Sequence, residues 1–167
     1  LEEDTGKLLH RESSSGERGS LVDLNRAGVP LLEIVSEPDI RSAAEATIYA
    51  KELHSIITYL NANSGDMEKG VIRFEANISV HLTGSQTLNT RTEIKNLNSF
   101  RALQHSTQYE IDRQIAAHAA GETVHQETLG WDETREVTVA QRSKEHAHDY
   151  RYFPEPDLPP LQIDPVW

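Results

Sequence analysis

The chain has 167 residues, 37% of them hydrophobic, no cysteine, and a formal net charge of −11 from 27 acidic and 16 basic residues. That is enough for one domain with a real core, too apolar in its best segments for disorder, and without an apolar run near the roughly 20 residues that cross a bilayer. The missing cysteine excludes disulfides and thiolate zinc sites. The acidic balance argues against a general nucleic-acid grip, which needs clustered Lys and Arg, and leaves room for a metal or magnesium-nucleotide site built on carboxylates.

Leu1 rather than Met opens the chain, and no basic-then-apolar leader follows, so the chain reads as an excised piece of a longer protein. Ser13 to Gly19 is a Ser/Gly-rich turn joining two ordered pieces. Leu21-Val22-Asp23-Leu24 and Leu31-Leu32-Glu33-Ile34-Val35 read as paired or adjacent strands around the turn Arg26-Ala27-Gly28-Val29-Pro30. Ser42-Ala43-Ala44-Glu45 is a capping box and starts a helix. Ala46, Tyr49, Leu53, Ile56, Ile57 and Leu60 recur at helical spacing along it, with Leu53, Ile56 and Ile57 expected against a sheet, and Asn61 to Gly65 stops it.

Ile72, Phe74, Ala76, Ile78 and Val80 then alternate with Arg73, Glu75, Asn77, Ser79 and His81, which predicts a strand with one apolar and one polar face. After the turn Thr83-Gly84-Ser85, a second strand from Arg91 to Leu97 puts Arg91, Glu93 and Lys95 on one face. Ser99 caps a second helix with Phe100, Leu103, Thr107, Ile111 and Ile115 inward, ending near Gly121. Short strands are predicted over Val124 to Thr128 and Glu136 to Gln141, before a Pro-rich extended ending from Phe153 to Pro165. Hairpin-length connections and only two good helices among at least four strands argue for an α+β fold with a largely antiparallel sheet flanked by helices.

The polar face of the two central strands is the most informative feature. Arg73, Glu75 and Asn77 lie on one strand and Arg91, Glu93 and Lys95 on the other, able to point the same way. One reading is a solvent-facing sheet with cross-strand ion pairs. The other is a magnesium-nucleotide site, in which carboxylates hold hard cations and Arg and Lys neutralise phosphate. Glu33, interrupting an apolar strand, is either a metal ligand or an edge residue facing water. His146 and His148 beside Asp149 read as surface loop more readily than as a ligand pair, and no Walker pattern or dinucleotide fingerprint is present. Tyr150-Arg151-Tyr152-Phe153 suits either base stacking or a plug at the core's edge.

Five blocks, in order, are more specific than any spacing: Leu1 to Lys7 (Leu-Glu-Glu-Asp-Thr-Gly-Lys), Ser20 to Leu31, Glu33 to Arg41, Glu93-Ile94-Lys95-Asn96-Leu97-Asn98-Ser99-Phe100, and His148 to Pro160. Together they span the chain, which resembles the family of aspartyl/glutamyl-tRNA amidotransferase B subunits. The resemblance implies a central to carboxy-terminal part of a cradle related to the glutamine synthetase catalytic domain. The amino-terminal part of the cradle and the carboxy-terminal helical and tail domains would lie outside it.

It also implies an ATP-dependent carbon–nitrogen ligase. ATP phosphorylates the side-chain carboxylate of glutamyl or aspartyl residues misacylated on tRNA, and ammonia released from glutamine by the amidase partner displaces the phosphate. A third, small partner ties the complex together. The implied cofactors are Mg2+ and ATP, and the implied compartment is the bacterial cytoplasm or an organellar matrix. Carried over by motif, the magnesium-binding acids fall on Glu3, Glu33, Glu75 and Glu93, and the four are expected to converge; Glu75 and Glu93 are the catalytic pair. Arg26, Arg73 and Lys95 are the candidate cations on the phosphate side. The family often has Cys-Asp-Ala-Asn where this chain has Phe74-Glu75-Ala76-Asn77, so the carboxylate at Glu75 reaches one methylene further. The rival readings are a scaffold that docks the amidase or tRNA without chemistry, and the archaeal-type E subunit, whose inserted domain has no counterpart between these blocks.

Overall fold

The computed structural model describes residues 1–4, 6–12, 18–85, 87–141 and 162–166. They fall into two units, Leu1–Ile40 and Arg41–Trp167. His146, His148 and the Tyr150 to Phe153 stretch, together with most of the Pro-rich ending, lie outside the described residues. Among the described residues no helix is long and apolar enough to cross a membrane.

In the first unit the chain pairs with its own beginning. β2 (Lys7–Glu12) and β3 (Arg18–Asp23) run antiparallel, with Lys7 opposite Asp23 and Glu12 opposite Arg18. The Ser/Gly-rich connection is thus shorter than its composition suggests, since Arg18 and Gly19 already belong to β3. Two-residue strands β1 (Glu2–Glu3) and β4 (Pro30–Leu31), which flank this hairpin in sequence, pair antiparallel with each other. The expected pairing of the 21–24 and 31–35 stretches does not occur. β3 has its backbone groups satisfied by β2 across a short connection, and the stretch after Leu31 continues as non-strand backbone. Gly6 is required where it stands: its φ is +90°, and a Cβ there would lie 2.6 Å from the Asp23 carbonyl oxygen.

The second unit opens with α1 (Ala43–Tyr59). Ser42 is extended and its hydroxyl accepts from the Glu45 N–H at 3.1 Å, as the capping box predicts. The return contact differs from the expected one, because the Glu45 carboxylate accepts from the Arg41 N–H, at 2.6 Å. Asn61 adopts a left-handed φ of 54° just past the helix end. The buried face of α1 is Ala43, Thr47 and Ala50, and the helix packs against a second helix rather than on the sheet. Leu53 and Ile57 are only half-buried and Ile56 is 53% exposed. The small residues let the helix axes approach and so become the inner face, displacing the bulkier stripe that periodicity favoured.

β5 (Phe74–Ile78) and β6 (Thr92–Leu97) pair antiparallel, with Ile78 opposite Thr92 and Asn77 opposite Glu93. β5 is shorter than the alternation suggested, leaving Ile72 and Val80 outside it. Between Phe74 and Ala76 the register shifts, so that three steps on β6 answer two on β5. The extra residue is accommodated at Asn96, whose φ is 61°. Because of this bulge both Ile94 and Leu97, three apart, face the core. α2 (Phe100–Ala119) follows, with the Ser99 hydroxyl accepting from the Ala102 N–H at 2.9 Å. It carries the chain back so that β7 (Thr128–Asp132) lies parallel to β6, and β8 (Val137–Ala140) returns antiparallel to β7.

The sheet order is β5-β6-β7-β8, and the sheet is mixed. The expectation of a largely antiparallel sheet fails at β6–β7, where the connection is a full helix long enough to cross over rather than a hairpin. The α+β class stands. β7 also begins where its predicted span ended, Val124 being buried in the segment before it. Ala50, Ile78, Ile94, Leu97, Ala102, Leu103 and Leu129 form the core, with Phe74, Phe100, Ile111 and Trp131 packed against it. The predicted inner face of α2 holds at Leu103 and Thr107 but not at Ile115, which is 50% exposed; its place on the buried side goes to Gln114.

Candidate functional site

Alternation in β5 and β6 sends Ile78, Thr92 and Ile94 to the helix side, and Glu75, Asn77, Glu93 and Lys95 to the other. On that polar face the Lys95 ammonium lies 3.3 Å from Glu93 Oε1 and 3.5 Å from Glu75 Oε2. Both carboxylates therefore point to one side and reach one cation. Thr128, beside Glu93 across the parallel pairing, donates its hydroxyl to Glu93 Oε2 at 3.2 Å. A small open pocket next to them is lined by Asn77, Arg91, Glu93, Gln126, Glu127 and Thr128. Gln126 and Glu127 come from the approach to β7 and Thr128 from its first position, which the sequence could place only once the parallel pairing was known. Arg73, just before β5, is exposed, as is Arg91.

This geometry bears on magnesium directly. Two carboxylates already hold a positive charge between them, which is the donor chemistry a hard cation needs. No group of three or more His, Asp or Glu side chains able to hold a metal is gathered among the described residues. Glu75 and Glu93 are the two acids of the second unit that share this face with Lys95.

In the first unit, Glu3 stands on β1 opposite Pro30 and is exposed. Arg26, in the turn before β4, is ion-paired with Asp4 at 3.2 Å, and the Asp4 backbone is held by Val29 and Gly28 at 2.9 Å each. Glu33 lies in the non-strand segment after β4. Leu32 and Val35 around it are 62% and 79% exposed, so the burial that made a carboxylate there conspicuous is not found.

Beneath the polar face lies a group that sequence reasoning missed. Glu110 on α2 has no exposed surface. Its Oε1 accepts from the Thr92 hydroxyl at 2.8 Å, the Gln114 amide at 3.0 Å and Arg113 Nη2 at 2.7 Å. Its Oε2 accepts from Arg113 Nε at 2.8 Å and the Thr138 hydroxyl at 3.3 Å. Burial pushes the carboxyl up, but the hydrogen bonds from Arg113, Gln114 and Thr92 outweigh it, and the pKa falls below the usual glutamate value. The available signal was heptad spacing: Leu103, Glu110 and Gln114 fall on one helical stripe, so two polar residues occupied core positions.

Comparison with known proteins matches the whole chain, residues 1–167, to the family described as the GatB/GatE catalytic domain. Similar curated proteins include the B subunit of the aspartyl/glutamyl-tRNA(Asn/Gln) amidotransferase of Moorella thermoacetica, 58% identical over 167 residues covering 100% of this chain and 35% of that protein. The proteins of the same name from Roseiflexus castenholzii and Herpetosiphon aurantiacus are 56% and 53% identical, each match covering 100% of this chain and 34% of theirs. The chain spans about a third of the length of these relatives.

Proposed function

Because the chain belongs to the GatB/GatE catalytic domain family, we propose that it forms part of the activating component of a glutamine-dependent tRNA amidotransferase, acting on glutamyl or aspartyl groups misacylated on tRNA. The observation that carries this reading is the convergence of Glu75 and Glu93 on one cation across β5 and β6. In the proposed reaction the substrate's side-chain carboxylate attacks the γ-phosphorus of ATP and ADP leaves. Ammonia then attacks the acyl carbon of the acyl phosphate, phosphate leaves, and the carboxylate has become an amide. Two anions must meet in the first step, so the site has to neutralise charge. Magnesium, when bound, supplies most of that neutralisation. Glu3, Glu33, Glu75 and Glu93 are the proposed acids for it, and Arg26, Arg73 and Lys95 the cations on the phosphate side.

Lys95 suits that role because it is placed by two carboxylates on the face it would serve and is itself partly shielded from water. The acyl phosphate must be kept from water until ammonia arrives. This chain's small open pocket beside Glu93 would be one wall of such a site, the cradle being glutamine synthetase-like and completed by other parts of the full-length protein. The proposed partners are the amidase that supplies ammonia, the small third component of the complex, and the misacylated tRNA; the proposed compartment is the cytoplasm or an organellar matrix.

Glu75→Gln in the full-length complex tests the assignment. Gln keeps the size and an oxygen but removes the charge that would hold magnesium. The expected result is loss of ATP hydrolysis dependent on misacylated tRNA, with glutamine hydrolysis by the amidase largely intact. Wild-type ATP turnover in that variant would return this face to an ion-paired sheet surface.

A further inference from the structure

The polar face is matched by an unusual arrangement on its underside. A position facing the core of a small sheet is ordinarily filled by an aliphatic side chain, and a buried carboxylate carries a desolvation penalty comparable to the gain from its partners. Here α2 spends two core positions on Glu110 and Gln114, both without exposed surface. Gln114 donates to the Thr92 hydroxyl at 2.9 Å and to the Ile78 carbonyl at 3.1 Å, and its own carbonyl accepts from the Val80 N–H at 3.1 Å. Glu110 holds Thr92 on β6 and Thr138 on β8. Thr92 and Ile78 are a directly opposed pair, and the next pair along is Glu93 with Asn77, on the other face. Successive side chains of a strand point to opposite faces, so whatever fixes Thr92 below fixes Glu93 above.

We infer that Thr92, Glu110 and Gln114 form a buried hydrogen-bonded tie that positions Glu93 on the opposite face of β6 for cation binding. This rests on the reading of that face as a metal site. The three are positioning residues: none touches the candidate ligand, and they act through the backbone of β6. Arg113 completes the tie from the rim, where it lies against Glu110 and 3.8 Å from Glu127, a residue of the pocket. Buried polar groups of this kind are best attested as setting register. A one-residue slip of β6 would send Glu93 inward and Thr92 outward, and the directional bonds to Thr92 resist it where an aliphatic contact would not.

The test compares Thr92→Val, Thr92→Ser and Glu93→Gln in the full-length protein, reading Mn2+ binding by electron paramagnetic resonance alongside the thermal midpoint. Valine is isosteric with threonine and lacks only the hydroxyl; serine keeps the hydroxyl. Thr92→Val should weaken Mn2+ binding about tenfold, the scale seen when a metal ligand loses its supporting hydrogen bond, and Thr92→Ser should restore it. A Thr92→Val protein with a lowered midpoint but wild-type Mn2+ affinity would show the tie to be structural only and overturn the inference. Glu93→Gln separates the two ideas. If it too leaves Mn2+ affinity unchanged, the metal reading of the face is wrong and the inference goes with it; if it weakens binding while Thr92→Val does not, the positioning role alone fails. Should Thr92→Val not fold, Glu110→Gln, which keeps the side chain's shape, is read by the same two measurements.

Discussion

Glu110 shows how a single side chain sets conditions on the rest. It stays ionised in the interior because five donor contacts from four residues surround its two oxygens. Its folded pKa is lower than the unfolded one, so the stabilisation it gives is present above the ordinary glutamate pKa and is lost as pH falls through the lower folded value. Glu110→Gln should therefore cost about 3 kcal/mol near neutral pH, the low end for breaking a buried pair because Arg113 is partly solvated. Denaturant melts of the full-length protein at a series of pH values check this. The gap between variant and wild type should narrow as the solution is acidified below pH 4.5, the value an unperturbed glutamate would have. A gap that widened toward acid would mean Glu110 is buried protonated. Glu75 presents the opposite case, an acid half in water whose meaning comes from its neighbours Lys95 and Glu93.

At the scale of the element, β6 carries the most consequence per residue. Its bulge at Asn96 lets two apolar residues three apart share the core while Lys95 remains on the polar face, which a regular strand could not do. Asn tolerates the left-handed conformation better than other residues with a side chain. Asn96→Ala should thus lower stability by about 1 kcal/mol, with Asn96→Gly close to wild type, because only glycine escapes the clash between Cβ and the backbone. Comparison of the two melting midpoints decides it; equal losses would mean that the Asn96 side chain, rather than its φ, is what matters. The helices show the same dependence on context. Both serine caps stand where the sequence put them, because a cap is a contact within four residues. The inner face of α1 does not, because α1 was expected to meet a sheet and meets α2 through a face of small residues.

At the scale of the whole molecule, the second unit holds the core, and β6 lies between two neighbours with Ile94 and Leu97 essentially without exposure. In hydrogen exchange of the full-length protein, the amides of β6 and of α2 around Leu103 and Ser106 should be among the slowest. Exchange there as fast as at the last turn of α1, where Tyr59 and Leu60 are 90% and 66% exposed, would mean this core is not what holds the unit together. What the sequence by itself determined was local: helix starts at Ser42 and Ser99, stops near Asn61 and Gly121, the alternation that put Glu75 and Glu93 on the face of Lys95, and the family. Each of these is written within a few residues or in a contiguous motif. Only the tertiary structure decided the parallel pairing of β6 with β7, the pairing of β3 with β2 instead of the 31–35 stretch, the true inner face of α1, and the burial of Glu110. Those depend on which segments meet in space or on which surface is left to be covered. Heptad spacing puts Glu110 on the core stripe, but what holds it there shows only when its donors, from α2, β6 and β8, have been brought around it.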